Sequence, residues 1–134
     1  MGVDPLFDVG SHGTTFGGSA LATRIGHHVL SRISEPTFVA SMRAVSAHLH
    51  SRLALLPSYF PDIVQTDLRG RGLIIGIAFK NAEHPARVAQ LARERGVLLL
   101  TAGSDAVRLV PSLIVTREEV DLALDVIESS LALL

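Results

Sequence analysis

Residues 63–79 read IVQTDLRGRGLIIGIAF, two short apolar runs set around a glycine-arginine repeat. Both runs, 63–68 and 73–79, have strand length and are rich in β-branched side chains, and the RGRG at 69–72 supplies turn chemistry. The pattern predicts two strands meeting at a turn. The same glycines superficially resemble a dinucleotide fingerprint. Their spacing is GxGxxxG, however, and they precede a strand where that fingerprint must open a helix. A tight turn entering a strand accounts for them, and a nucleotide-binding reading is rejected.

Outward from this pair, the chain punctuates itself into short units. Downstream, residues 85–95 form a predicted helix with Val88, Leu91 and Ala92 as its stripe and Gly96 as its terminator. Strands are expected at 97–100 and 107–110, with a turn at 102–105. Thr116 and Glu119 have the spacing of a capping box, which starts a last helix over 117–133 with Val120, Leu124, Ile127 and Leu131 as its buried line. Upstream, Ser19 can cap a helix over 20–33, with Leu21, Ile25, Val29 and Ile33 along one face, and Glu35-Pro36 breaks it. A longer helix over 37–56 carries Val39, Met42, Val45, Leu49, Leu53 and Leu56, and Pro57 stops it. The order α-α-β-β-α-β-β-α describes an α/β chain: a small antiparallel or mixed sheet with helices packed on it.

The length of 134 residues suits one domain, and 48% hydrophobic residues supply ample material for its core. A mean hydropathy of +0.40 also leaves room for a surface that expects to be covered. With a net charge of −1, bulk charge points neither to nucleic acid nor to an anionic membrane. Cysteine is absent, which excludes disulfides and thiolate metal sites. No apolar run approaches the roughly 20 residues that span a bilayer. The first ten residues have neither a basic region nor an apolar core, so no signal peptide is expected, and a soluble intracellular protein is. The six histidines form no spaced ligand set, so no metal site is expected and exposed helix histidines are. No Ser-His-Asp arrangement suggests itself either.

Two segments could carry chemistry. Residues 12–18 read HGTTFGG directly before the first helix. Glycine allows close backbone approach, Thr14 and Thr15 offer hydroxyls, and a helix N-terminus adds free N–H groups with partial positive charge. That is a phosphate-binding arrangement, although the same pattern also fits a plain glycine turn with a capping serine. The second is VRLVPSL at 107–113. Its Arg108 sits inside an apolar strand, and its planar fork suits a carboxylate. The alternative is an arginine that simply points at water from an edge strand.

In order, these segments resemble those of class III aminotransferases, specifically the acetylornithine and ornithine aminotransferase group. HGTTFGGSALA at 12–22 is similar to that group's HGTTFGGNPLA, and LRGRGLIIGI at 68–77 to its VRGRGLMIGIEL. RGVLL at 95–99 and VRLVPSLIVTREEVD at 107–121 resemble RGLLV and LRLLPPLIITEEEID. The resemblance runs from about Gly10 to the C-terminus.

It implies the C-terminal α+β small domain of a fold-type I pyridoxal-phosphate enzyme: residues 1–18 as a cofactor-contact loop from the end of the large domain, and 19–134 as the small domain. It implies that Thr15 binds the phosphate of a cofactor held by the neighbouring subunit of a homodimer, with Thr14 as a second donor. Arg108 would hold a carboxylate of the amino acid or of 2-oxoglutarate. The implied reaction moves an amino group from N2-acetylornithine to 2-oxoglutarate in arginine synthesis. Ornithine and 4-aminobutyrate are alternative donors, and a non-catalytic α/β module that binds an intact aminotransferase subunit is the rival reading. The family also implies the mitochondrial matrix for a eukaryotic source and the cytoplasm for a bacterial one.

Ser19-Ala20 replaces the usual Asn-Pro, and Ser112 replaces a proline, neither change removing a ligand-contacting group. The family's Schiff-base lysine lies upstream of HGTTFGG. Lysine occurs once here, at Lys80, downstream of that motif and at a strand end. No catalytic residue is therefore expected on this chain, and alone it should not transaminate.

Overall fold

The computed structural model describes residues 13–134. The chain divides into two compact units, Met1–Val39 and Ala40–Leu134. Its elements run α1 (Ala20–Ile33), α2 (Pro36–Leu53), α3 (Leu56–Tyr59), β1 (Val64–Arg71), β2 (Ile74–Phe79), α4 (His84–Glu94), β3 (Leu100–Ala102), β4 (Ala106–Leu109) and α5 (Arg117–Leu131). The expected order stands, with the short α3 added after α2.

In the first unit, Ser19 caps α1 as its sequence suggests: its hydroxyl accepts from the Ala22 amide at 3.3 Å. The stripe of Leu21, Ile25, Val29 and Ile33 does not bury. All four are exposed, from 72% at Leu21 to 37% at Ile33.

The second unit is built on a four-stranded antiparallel sheet in the order β1-β2-β4-β3. Ile77 faces Val107 and Ile75 faces Leu109 across β2 and β4. Their side chains share one face of the sheet, because a strand alternates faces with a period of two. That face carries the core: Ile75, Ile77, Phe79, Val107 and Leu109 are all at or below 8% exposure. Leu49 and Leu53 of α2, Leu56 of α3, Val88 and Ala92 of α4, and Val120, Leu124, Ile127 and Leu131 of α5 complete the cluster.

Several ends settle differently from the sequence reading. Glu35-Pro36 ends α1 as expected, with Pro36 itself opening α2, whereas α2 stops at Leu53 and Pro57 falls in the first turn of α3. Proline lacks an N–H and fixes φ, which a first helical turn accepts and a helix interior does not. The strand expected at 97–100 is β3 at Leu100–Ala102. The turn 103–105 pairs Leu100 with Arg108 and Ala102 with Ala106. In that register Val97 would fall opposite Pro111, which has no amide to continue a ladder. The turn between β1 and β2 also tightens: Arg71 pairs with Ile74, so only Gly72 and Leu73 connect the strands, with Gly72 at φ +64°. Gly70 stays within β1 at φ +128°, where an added Cβ would run into the Ile74 carbonyl.

Caps follow local sequence closely. Gly96 ends α4 at φ +88°, its amide bonding the Arg93 carbonyl at 3.0 Å and that of Val97 bonding Ala92 at 2.9 Å, a Schellman closure. The capping box forms: Thr116 accepts from the Glu119 amide at 3.2 Å, and the Glu119 carboxylate accepts from the Thr116 amide at 2.8 Å.

Polar contacts join the second-unit part of α2 to α5. Arg52 donates to Asp121 at 2.7 Å, Asp125 at 3.0 Å and Glu128 at 3.1 Å. His48 Nε2 donates to Asp121 at 2.7 Å, and His50 Nε2 to the Gly72 carbonyl at 2.9 Å. These two histidines are half-buried and partnered, which corrects the expectation of exposed ones.

Replacing a fully buried side chain of the central pair should open a cavity. Ile77→Ala is expected to lower unfolding free energy by about 2–5 kcal/mol in urea titrations, and Leu122→Ala, on the exposed face of α5, by less than about 0.5 kcal/mol.

Candidate functional site

The loop before α1 separates its two threonines. The Thr14 hydroxyl accepts from the Gly17 amide at 3.2 Å, closing the loop on itself. A Cβ at Gly17 would collide with the Thr14 methyl, so this closure needs glycine there. Gly18 follows at φ +76°, and the Ser19 amide bonds the Phe16 carbonyl at 3.3 Å. Thr15 has no hydrogen-bond partner among the described residues and is exposed. Ser19 satisfies the Ala22 amide, while the Ala20 and Leu21 amides have no partner among the described residues. The Thr15 hydroxyl and these two amides thus belong to the same short loop-to-helix entry of a 14-residue helix, whose dipole favours an anion. Thr14 and Thr15 share this loop, with Thr14 as its internal brace. His12 and the earlier part of the expected 1–18 loop lie outside the described residues.

Arg108 lies in the second unit. Its neighbours on β4, Val107 and Leu109, are buried at 0% and 8%, and strand alternation therefore drives Arg108 to the opposite face, where it is exposed. It pairs with Gly76 of β2 on one side and Leu100 of β3 on the other. Gly76 pairs in turn with Arg69 of β1. Arg69, Gly76 and Arg108 thus form a row across the sheet. The two arginines stand two strand spacings apart, about 9–10 Å.

Arg69 is occupied. Its guanidinium donates to both oxygens of Asp105, at 2.7 and 3.0 Å, and to Gln65 at 3.3 Å. The hydrogen bond from Arg69 holds the Asp105 carboxyl below its ordinary value against the cost of its partial desolvation, and Asp105 raises Arg69 in return. Arg108 has no hydrogen-bond or ion-pair partner among the described residues. An open depression of about 210 Å³ lies over this face, lined by Arg69, Gly70, Ile74, Gly76, Ala106 and Arg108 among others. An unpaired planar guanidinium at the rim of an apolar depression can bind a carboxylate through two parallel hydrogen bonds.

Sequence reading placed Thr14, Thr15 and Arg108 but missed the Asp105 pair, whose partners lie 36 residues apart and follow no local pattern. Lys80 is exposed just beyond β2, its amide bonded to the Ile63 carbonyl at 2.9 Å. Among the described residues no three His, Cys, Asp or Glu side chains gather as a metal site, and no helix is long and apolar enough to cross a membrane.

Comparison with known proteins places this small sheet and its helices among the aminotransferases. The family profile described as aminotransferase class-III matches residues 2–131, and the chain belongs to that family, whose members depend on pyridoxal phosphate. It is 38% identical over 123 residues to the mitochondrial acetylornithine aminotransferase of Yarrowia lipolytica, covering 92% of this chain and 29% of that protein. It is 40% identical over 122 residues to the Neurospora crassa protein of the same name, covering 91% and 26%. Among solved structures, the lysine aminotransferase of M. tuberculosis superposes with a TM-score of 0.81 at 27% identity, over 92% of this chain and 28% of that one. The ornithine aminotransferase of Plasmodium yoelii gives 0.79 at 25% identity, over 95% and 33%. The chain therefore spans about a third or less of the length of these relatives.

The Asp105 and Asp121 carboxyls, the second lowered chiefly by the hydrogen bond from His48, both titrate below their ordinary values when folded. Their stabilisation is fully present above the unfolded carboxylate value of about 3.9 and is lost as pH falls through the folded values. Melting temperatures followed from pH 7 to pH 2 should fall mainly below about pH 4. In Arg69→Gln the neutral plateau should be lower and that acid slope shallower.

Proposed function

We propose that this chain is the C-terminal part of an acetylornithine aminotransferase, transferring an amino group from N2-acetylornithine to 2-oxoglutarate in arginine synthesis. Residues 1–18 act as the cofactor-contact loop at the end of the large domain, and 19–134 as the small domain. The observation that carries the reading is Arg108: without a partner among the described residues, exposed, and held by strand alternation at the rim of an apolar depression.

Pyridoxal phosphate, when bound, supplies the electron sink for amino transfer. The groups on this chain fit that cofactor at its phosphate. The Thr15 hydroxyl would donate one hydrogen bond to a phosphate oxygen, and the Ala20 and Leu21 amides at the start of α1 add partial positive charge. Thr14 braces the loop by accepting from the Gly17 amide, which leaves its own O–H free to serve as a second donor. In a homodimer, Thr15 would serve the cofactor of the neighbouring subunit. Arg108 grips a carboxylate of the amino acid or of 2-oxoglutarate through its two parallel donors and so orients the carbon that exchanges the amino group. These residues bind and orient. Lys80 lies just beyond β2 and plays no part. The exposed stripe of α1 is where the large domain or second subunit would lie. The compartment would be the mitochondrial matrix in a eukaryote and the cytoplasm in a bacterium. The names of the relatives support the donor: acetylornithine recurs among them, beside a succinylornithine transaminase of Yersinia pseudotuberculosis at 40% identity over 115 residues.

The reading is tested by replacing the matching C-terminal stretch of the Yarrowia lipolytica enzyme with this chain and assaying acetylornithine, ornithine and 4-aminobutyrate as donors. Acetylornithine should give the highest kcat/KM. Arg108→Ala should lower it about a hundredfold, and Thr15→Val should weaken cofactor retention. An Arg108→Ala chimera as active as its parent would overturn the assignment. The chain alone, mixed with pyridoxal phosphate and reduced with borohydride, should show no stoichiometric label at Lys80 by mass spectrometry.

A further inference from the structure

The row Arg69–Gly76–Arg108 sets two guanidinium groups on either side of one glycine, over a shared depression. Left free, both could reach an anion lying above Gly76, and such a face would favour a dianion. The structure removes one of them. Asp105 takes both terminal nitrogens of Arg69 at 2.7 and 3.0 Å, a bidentate pair that satisfies the fork and cancels its charge. Asp105 is held for this task by the turn between β3 and β4. Its carbonyl accepts from the Phe79 amide at 2.7 Å, and Gly103 turns the chain at φ +64°. The remaining arginine on this face, Arg71, stands opposite Ile74 at the hairpin end, two residues further along β1 and so about 7 Å from the row.

We propose that Asp105 is a specificity-determining positioning residue: by pinning Arg69 it leaves Arg108 as the one cation at the Gly76 row, so that this part of the site reads a single carboxylate. This rests on the reading of Arg108 given above. Asp105 touches no substrate and acts through Arg69. Its loss would not abolish carboxylate binding; it would release a second guanidinium and shift preference toward dicarboxylates.

The test uses the full chain and two probes of similar length, butyrate and glutarate, titrated while the Arg108 Nε–Hε resonance is followed by NMR. In Asp105→Asn the ratio of butyrate to glutarate dissociation constants should rise roughly two- to five-fold over wild type. In the double variant Arg69→Gln with Asp105→Asn, which again has a single cation in the row, the ratio should return to the wild-type value. Asp67→Asn removes an equal charge from β1 without breaking the pair and should leave the ratio near wild type. An unchanged ratio in Asp105→Asn, or an equal rise in Asp67→Asn, overturns the proposal, because neither a purely structural role nor bulk charge predicts the pattern of rise and return. If Arg108 responds to neither acid in wild type, the carboxylate reading of Arg108 itself fails, an outcome distinct from an unchanged ratio.

Discussion

The antiparallel register of β2 against β4 is the constraint from which the rest follows. Pairing Ile77 with Val107 and Ile75 with Leu109 puts four branched side chains on one face, where α2, α3, α4 and α5 close over them. Slipping the register by one residue would turn Arg108 into the core and these side chains out, at a cost no nearby anion could offset. The same two-residue period therefore both makes the core and delivers Arg108 to the open face.

The open face owes its chemistry to an imbalance in pairing. Every arginine can hold a carboxylate, yet Arg69 is already satisfied by Asp105 and Arg52 by the acids of α5. Arg108 is left over at a glycine, where the surface is low and apolar. Before α1, Thr14 braces the loop by accepting from the Gly17 amide, while Thr15 has no partner among the described residues.

Local chemistry made much of this legible from the amino acids alone. The capping box at Thr116 and Glu119, the Gly96 terminator and the Ser19 cap depend on neighbours within a few residues and form as read. Arg108 and the two threonines stood out because each is a polar group in a setting that must explain it. The errors share a cause. Pro57 opens α3 instead of stopping α2, because whether a proline ends or starts a helix depends on where the first turn falls. The strand at 97–100 moved because its register is decided by β4 and Pro111 and not by its own composition. His48, His50 and Asp105 have partners 22 to 73 residues away, which no periodicity displays. The stripe of α1 was legible as a stripe, but not that it would stand exposed.

The most direct test is a crystal structure of an intact aminotransferase carrying this C-terminal part, bound to an unreactive carboxylate analogue of its amino-acid substrate. The account predicts the analogue's carboxylate in bidentate contact with the Arg108 guanidinium, at about 2.7–2.9 Å, with Arg69 still held by Asp105. A carboxylate gripped by another residue, with Arg108 turned to solvent, would contradict it.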